Sequence, residues 1–358
     1  MSNLHIYAGW KEYRQGKISD RELERIIREN ARLRKVAVDL NSVCNLRCQH
    51  CSYDLPETKL KEDLTAQDFC KVADQAIDLG VKVIASGGKE PLLVPEKALR
   101  LFSHIRERSK DLATGIVTNA TLVDERRLGL LQKMGLSYIN VSIDGTEEYH
   151  DQNRGQGTFK KTFEGLRTIQ SSHIAEEVLV SSTLMSYNAD NLRKLMKFCS
   201  DNAGVNDFYV GVYIATGRNR DEWKITSDTV VKFLDSIQDH EGEVILDVHS
   251  DTQQIWDDLE RSGHINVNNT FEARDGIIAA KVGRHHVINS MFTSNYWNTL
   301  LISSTGHAFG DYCLREDRNY LKDGRVVGNV KETKLKELFA RSIQVGFPYF
   351  LSKICKYS

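Results

Sequence analysis

The sequence predicts an α/β fold whose core is a partial (β/α)6, TIM-like barrel, and three observations predict it. Between Val36 and Gly217, short apolar runs alternate with longer segments of helical period, the pattern of consecutive βαβ units with right-handed crossovers and a parallel sheet. Most residues of chemical interest stand just after an apolar run, where parallel α/β barrels carry function. At 358 residues, 41% of them hydrophobic, the chain can bury a sizeable core in one large domain, or in one plus an appendage.

Residues 1–33 are a charged N-terminal extension. Within it Ile18–Ile27 reads as an amphipathic helix, capped by Ser19 or Asp20, with Leu23, Ile26 and Ile27 on one face. It is expected on the outside of the barrel. The barrel core is placed at 34–218, with candidate strands Lys35–Leu40, Val81–Ser86, Thr114–Thr118, Ser137–Ile143, Glu177–Thr183 and Phe208–Ile214. The candidate helices between them are Ala66–Leu79, Glu96–Ser109, Asp124–Met134, Phe159–Ser171 and Asn191–Asn202. Cys70 and Cys199 fall inside two of these helices and are expected in the core. The remainder, 219–358, is less regular. It offers a helix over Thr226–Gln238, a strand over Glu243–Val248, and four scattered histidines (His249, His264, His285, His286) that receive no role.

Composition excludes several function classes. A net charge of −1 gives no bulk electrostatic reason to bind nucleic acid or an anionic membrane. No apolar run approaches the ~20 residues that span a bilayer, and Met1–Tyr7 lacks the charged start and apolar stretch of a secretory signal. A cytoplasmic protein with small-molecule partners is expected. Seven cysteines, an odd number with three of them clustered, suit a reducing compartment and a metal site better than a disulfide framework.

That cluster is the central motif. Asn41-Ser42-Val43-Cys44-Asn45-Leu46-Arg47-Cys48-Gln49-His50-Cys51 directly follows the first apolar run. Three thiolates are one short of a closed structural zinc site and one short of the four that usually hold an iron–sulfur cluster. An open coordination position is therefore predicted. An iron with such a position can take a small ligand through its amine and carboxylate and pass it an electron. On spacing alone, a zinc-binding interaction loop with His50 as fourth ligand stays open.

Cys44-x3-Cys48-x2-Cys51, with His50 in an aromatic-type position before the last cysteine, resembles the signature of radical S-adenosylmethionine (SAM) enzymes. Further stretches extend the resemblance. Ser86-Gly87-Gly88-Lys89-Glu90-Pro91-Leu92 resembles the family's glycine-rich motif, often Gly-Gly-Gly-Glu-Pro, with Lys89 in the third glycine's place. Thr118-Asn119-Ala120-Thr121-Leu122 resembles Thr-Asn-Gly-x-Leu. Asn140-Val141-Ser142-Ile143-Asp144-Gly145 matches Val-Ser-Ile-Asp-Gly, and His150-Asp151-x2-Arg154-Gly155 continues it.

The resemblance implies one [4Fe-4S] cluster on Cys44, Cys48 and Cys51, and SAM bound by His50, Gly87, Gly88, Glu90, Ser142, Asp144, Arg154, Ser182 and the backbone at Ile214. Arg154 can pair bidentately with a carboxylate. The implied electron donor is a reduced flavodoxin or ferredoxin, and the implied reaction is hydrogen abstraction by a 5′-deoxyadenosyl radical. Residues 297–340 resemble, more weakly, the SPASM or twitch element, a small α+β C-terminal appendage that carries auxiliary clusters in relatives. Only Cys313 and Cys355 are available there, and position 333 is threonine, so no auxiliary cluster is expected.

A lone Cys313 suits an epimerase that returns a hydrogen atom to a sugar, nucleoside or amino-sugar. A dehydrogenase, dehydratase or decarboxylase is the alternative. A peptide-modifying maturase is disfavoured, because residues 1–33 are too short for the peptide-binding winged helix found ahead of many relatives.

Overall fold

The computed structural model describes residues 3–51, 63–214, 221–248, 253–273, 277–290, 297–310 and 326–354. Two helices, α1 (Asn3–Arg14) and α2 (Asp20–Asn30), precede the first strand. The expected strands follow as β1 (Lys35–Val38), β2 (Val83–Ser86), β3 (Ala113–Thr118), β4 (Leu136–Ser142), β5 (Ala175–Leu184) and β6 (Phe208–Val212). Between them run α3 (Ala66–Asp78), α4 (Pro95–Arg108), α5 (Glu125–Met134), α6 (Glu147–Arg154), α7 (Thr158–Ser171) and α8 (Ala189–Ala203).

Local chemistry fixes several of these starts. Ser19 and Glu22 form a full capping box on α2, and Thr65 and Asp68 form another on α3, each satisfying backbone donors that have no helical partner. Asp124 accepts from the Arg127 amide at the start of α5, and Gly135 ends that helix in the left-handed conformation. Helices α1 and α6 carry too little periodicity to stand out in the sequence.

Each of the first six strands pairs in parallel with the next, as the partial α/β barrel requires. The sheet then continues. β7 (Val244–Val248) adds in parallel to β6, and after α9 (Ser227–Ser236) and α10 (Gln253–Arg261) come β8 (Thr270–Glu272), β9 (Ile278–Val282) and β10 (His285–Asn289). β10 is parallel to β7, and β9 and β8 follow antiparallel. On the opposite edge β11 (Thr299–Ile302) is parallel to β1, while β12 (His307–Phe309) and β13 (Val326–Asn329) close it as an antiparallel meander. The element expected at 297–340 is thus joined to the first core strand by backbone pairing. A helix, Leu335–Ile354, ends the described chain. Cys313 and Cys355 lie outside the described residues.

The two faces of the sheet differ. The outward face packs Val36, Ile84, Ile116, Ile139, Val141, Val180 and Val210 into the main core beneath the helices. The inward face holds smaller separate clusters, Ala37 with Leu301 and Phe309, and Ile277 with Ala279 and Ile288. Between these several inward positions are only partly buried, Asn140, Ser181, Thr183, Tyr209 and Gly211 among them. The inner wall therefore keeps accessible polar side chains from β4, β5 and β6.

The N-terminal extension packs against a late element as well as the early ones. Trp256 of α10 donates to the Tyr7 hydroxyl at 3.0 Å, and Arg14 pairs with Asp257 at 2.6 Å. Among the described residues no helix is long and apolar enough to cross a membrane.

Candidate active site

The cysteine loop leaves β1 at Asp39 and is fastened to three other strand ends. Asn41, buried, donates to the Glu90 carbonyl and accepts from the Val43 amide, both at 2.8 Å, which ties the loop to the end of β2. Asn45 donates to Thr121 Oγ1 at 2.8 Å and accepts from Asn119 Nδ2 at 2.9 Å, which ties it to the end of β3. The Gln49 amide donates to the Asn153 carbonyl at 2.8 Å and the His50 amide to Asn153 Oδ1 at 3.2 Å, which ties it to α6 beyond β4. None of the asparagines at 41, 45, 119 and 153 was singled out as a site residue from the sequence. Their signal was available, since each lies within or beside a recognised motif.

Two buried carboxylates organise what the loop faces. Glu90 accepts from Thr118 Oγ1 at 2.7 Å, the Leu92 amide at 3.0 Å and the Asn119 amide at 2.8 Å. Burial raises its pKa and those three donors oppose the rise. Asp144, with no exposed surface, accepts from Arg154 Nε at 2.5 Å, Asn153 Nδ2 at 2.7 Å and the Thr183 amide at 2.8 Å. Burial alone would raise the Asp144 pKa, but the Arg154 guanidinium and then His50 outweigh it and hold the carboxyl well below the usual range. Burial lowers the His50 pKa, and the Asp144 charge opposes that. Asn153 gives its amide hydrogen to Asp144 and its oxygen to His50 Nδ1 at 2.8 Å.

Two non-glycine residues of the motifs carry positive φ. Lys89, in the third glycine's place, has φ +58°, and Ala120, in the glycine's place of Thr-Asn-Gly, has φ +54°. Both stand in the left-handed region that glycine occupies freely. Gly88 is held to glycine by contact, since a Cβ there would overlap the Asp39 carboxylate. Gly87, just after β2, is exposed.

The remaining expected residues separate by face. Ser142 is 8% exposed, and its hydroxyl makes no hydrogen bond among the described residues. Ser182 shares its face with Val180 and Leu184, which pack in the main core, and donates to the Ile143 carbonyl. Its neighbours Ser181 and Thr183 occupy the other, inward face, as strand alternation requires. Tyr213 packs on Met185 and Trp223, and Ile214 closes the described part of that strand end. His264, His285 and His286 are engaged with Ser262, Ile237 and Glu243 respectively. Cys70 and Cys199 are buried in helices.

The donor set suits a cluster. Cys44 is exposed, Cys51 partly buried and Cys48 buried. Burial pushes the Cys48 thiol up to about 12; Arg154 opposes this, while Cys51, Asp144 and Cys44 add to it. A thiol so hard to ionise becomes a ligand when metal charge takes the place of its proton. Among the described residues no group of three His, Cys, Asp or Glu side chains surrounds a position for one metal ion. A cluster takes its thiolates on different irons and needs no common point.

The family model described as "Radical SAM superfamily" matches residues 38–199, the span from β1 through most of α8. The chain carries a radical SAM domain. Over 156 residues it is 31% identical to Fe-coproporphyrin III synthase of Methanosarcina barkeri, covering 42% of this chain and 36% of that one. Over 181 residues it is 29% identical to pre-heme d1 synthase of Dinoroseobacter shibae, covering 50% of this chain and 43% of that one. The match thus spans less than half the length of either relative. Streptococcus suis SuiB, solved with its precursor peptide SuiA, superposes with a TM-score of 0.65 over 92% of this chain and 76% of that one, at 16% identity. At that identity the likeness is one of fold. The cofactors of the family are a [4Fe-4S] cluster and SAM, and solved neighbours were crystallised with SAM bound.

Proposed function

We propose that the chain is a single-cluster radical SAM enzyme acting on a small polar substrate of the sugar, nucleoside or amino-sugar type, with Cys313 returning a hydrogen atom as in an epimerase. One observation carries the first part of this reading. The three cysteines, the Gly87–Gly88 backbone, Ser142 and Arg154 belong to the carboxyl ends of three strands of one parallel run, β1, β2 and β4, and to the segments that follow them. With cluster and SAM bound, the chemistry supplied is reductive cleavage of the sulfonium and hydrogen abstraction by the resulting 5′-deoxyadenosyl radical.

The chain's own residues hold and orient. Cys44, Cys48 and Cys51 are the cluster ligands, and the Gly87–Gly88 backbone gives the methionyl amine close approach. Arg154 receives the carboxylate, and Ser142, Ser181 and Thr183 offer hydroxyls along the inner wall. Asp144 acts behind these by fixing Arg154 and, through Asn153, His50. The partly exposed inward hydroxyls support a polar substrate. Cys313 as donor rests on its isolation in the sequence from the cysteines an auxiliary cluster needs. The electron donor in this reading is a reduced flavodoxin or ferredoxin, and the protein is cytoplasmic.

The test is anaerobic reconstitution with iron and sulfide, followed by reduction in the presence of SAM. About four irons per chain, with 5′-deoxyadenosine formed by wild type and by Cys313→Ala but not by Cys44→Ala, is the expected result. A colourless protein holding one zinc and leaving SAM intact refutes the enzyme. About eight irons, falling toward four in Cys313→Ala, refutes the single cluster and the hydrogen-donor role together.

A further inference from the structure

The cysteine loop is a long excursion whose two ends are drawn together on one side chain. Lys97, one turn into α4, reaches back with Nζ to the Leu40 carbonyl at 3.0 Å and the Leu64 carbonyl at 2.8 Å. Leu40 is the residue before Asn41, and Leu64 is the residue before the cap of α3, so the two carbonyls stand at either end of 41–63. Both leucines are almost wholly buried. The aliphatic stem is half-buried and the ammonium lies 5.9 Å from the centre of the Phe69 ring.

Neighbouring bonds reinforce the same neck. Asp63 Oδ2 accepts from the Ser42 amide at 3.2 Å, and the Leu64 amide donates to the Ser304 carbonyl at 2.5 Å. A loop whose ends are fixed this way has lost much of its conformational freedom before any ligand binds.

We infer that Lys97 is a positioning residue for the cluster, a cationic clasp that holds the neck of the loop closed so that Cys44, Cys48 and Cys51 are presented in one arrangement. The role rests on the reading of those cysteines as cluster ligands. Nothing in the sequence marks Lys97, an ordinary helical lysine by pattern. Its function comes from a single ammonium offering several donors to two carbonyls that accept from no backbone N–H among the described residues.

The test separates the clasp from the cluster. In the metal-free full-length protein, hydrogen exchange of amides 41–51 is compared among wild type, Lys97→Met and Lys97→Arg, with β4 and β5 as internal reference. Lys97→Met is expected to speed exchange in the loop about tenfold while the reference strands stay unchanged, and Lys97→Arg, which keeps charge and several donors, to recover most of the protection. After reconstitution, removal of iron by a ferrous chelator is expected to be about ten- to a hundredfold faster in Lys97→Met. Lys97→Gln, which keeps one donor, serves in the same way if the methionine variant does not fold. Loop exchange equal to wild type, or acceleration spread evenly through β4 and β5, overturns the clasp. A wild-type protein that binds no iron, with the exchange result as expected, refutes the cluster reading alone.

Discussion

Arg154 meets Asp144 through Nε, 2.5 Å from Oδ2, and among the described residues neither Nη nitrogen makes a hydrogen bond. The guanidinium is therefore held through Nε, which leaves both Nη groups as donors for the carboxylate that the proposed function assigns to Arg154. Replacing Asp144 with Asn removes the counter-charge and leaves a buried cation uncompensated, which costs about 3–5 kcal/mol. Urea unfolding of the metal-free protein measures this directly. Arg154→Lys keeps the charge but not the planar fork, and SAM affinity of the reconstituted protein is expected to fall about 10- to 100-fold, the worth of a charged hydrogen bond. Equilibrium SAM binding checks it.

The same buried group makes stability depend on pH. His150 has no exposed surface, and burial, aided by Arg154, lowers its pKa from 6.5 to about 3. The unfolded chain takes up that proton as pH falls through 6.5, and the folded chain does not until about 3. Stability is thus fully present above 6.5 and is lost on acidification, by up to about 1.4 kcal/mol per pH unit from this residue. Asp144 adds a second loss lower down, since its stabilisation is present above its unfolded pKa of 3.8 and disappears as pH falls toward the depressed folded value. Unfolding free energies at pH 7.5, 6 and 5 should decline in wild type. His150→Gln should flatten that slope.

Lys89 provides a test of backbone strain. A side chain at φ +58° costs roughly 1–2 kcal/mol relative to right-handed backbone, a cost that glycine escapes. Lys89→Gly should therefore stabilise the metal-free protein by up to about 1 kcal/mol, the gain being reduced by the greater freedom of glycine in the unfolded chain. Gly88→Ala should do the opposite, because its Cβ would run into Asp39. Urea midpoints of the two variants, shifted in opposite directions, are the expected result.

The contrast between these two positions shows how far the site was legible. The places of Ser142, at the end of β4, and of Arg154, on the helix after it, were legible from the βαβ rhythm. The strands β1 to β6 were readable for the same reason, apolar runs between helices of regular period. β11 was placed in the appendage, yet it pairs with β1 across more than two hundred residues, and no local pattern encodes such a partner. Ser182 was chosen for its position, whereas strand alternation puts its hydroxyl on the Ile143 carbonyl and turns Ser181 and Thr183 inward. Lys89 stands where the family's motif has glycine, and its φ of +58° lies in the region glycine occupies freely, which only coordinates can show.

Glu90 separates bracing from ligand contact. Its Oε1 accepts from both Thr118 and the Leu92 amide, and its Oε2 accepts from the Asn119 amide. Glutamine offers one oxygen and one donor, so in either orientation at least one backbone N–H would face an amide hydrogen in a buried place. An orphaned buried donor costs about 1–3 kcal/mol, and Glu90→Gln should show that loss in protein free of both cluster and SAM. Were Glu90 chiefly a contact to the SAM amine, the metal-free variant would unfold like wild type and only SAM affinity would drop. The hydrogen-bond geometry favours the first outcome, because the oxygens already join the end of β2 to the end of β3 and the Glu90 carbonyl holds Asn41 at the root of the cysteine loop. Loss of the brace should then reach SAM affinity as well, through displacement of the loop. Unfolding and binding measured on the same variant decide between the two roles.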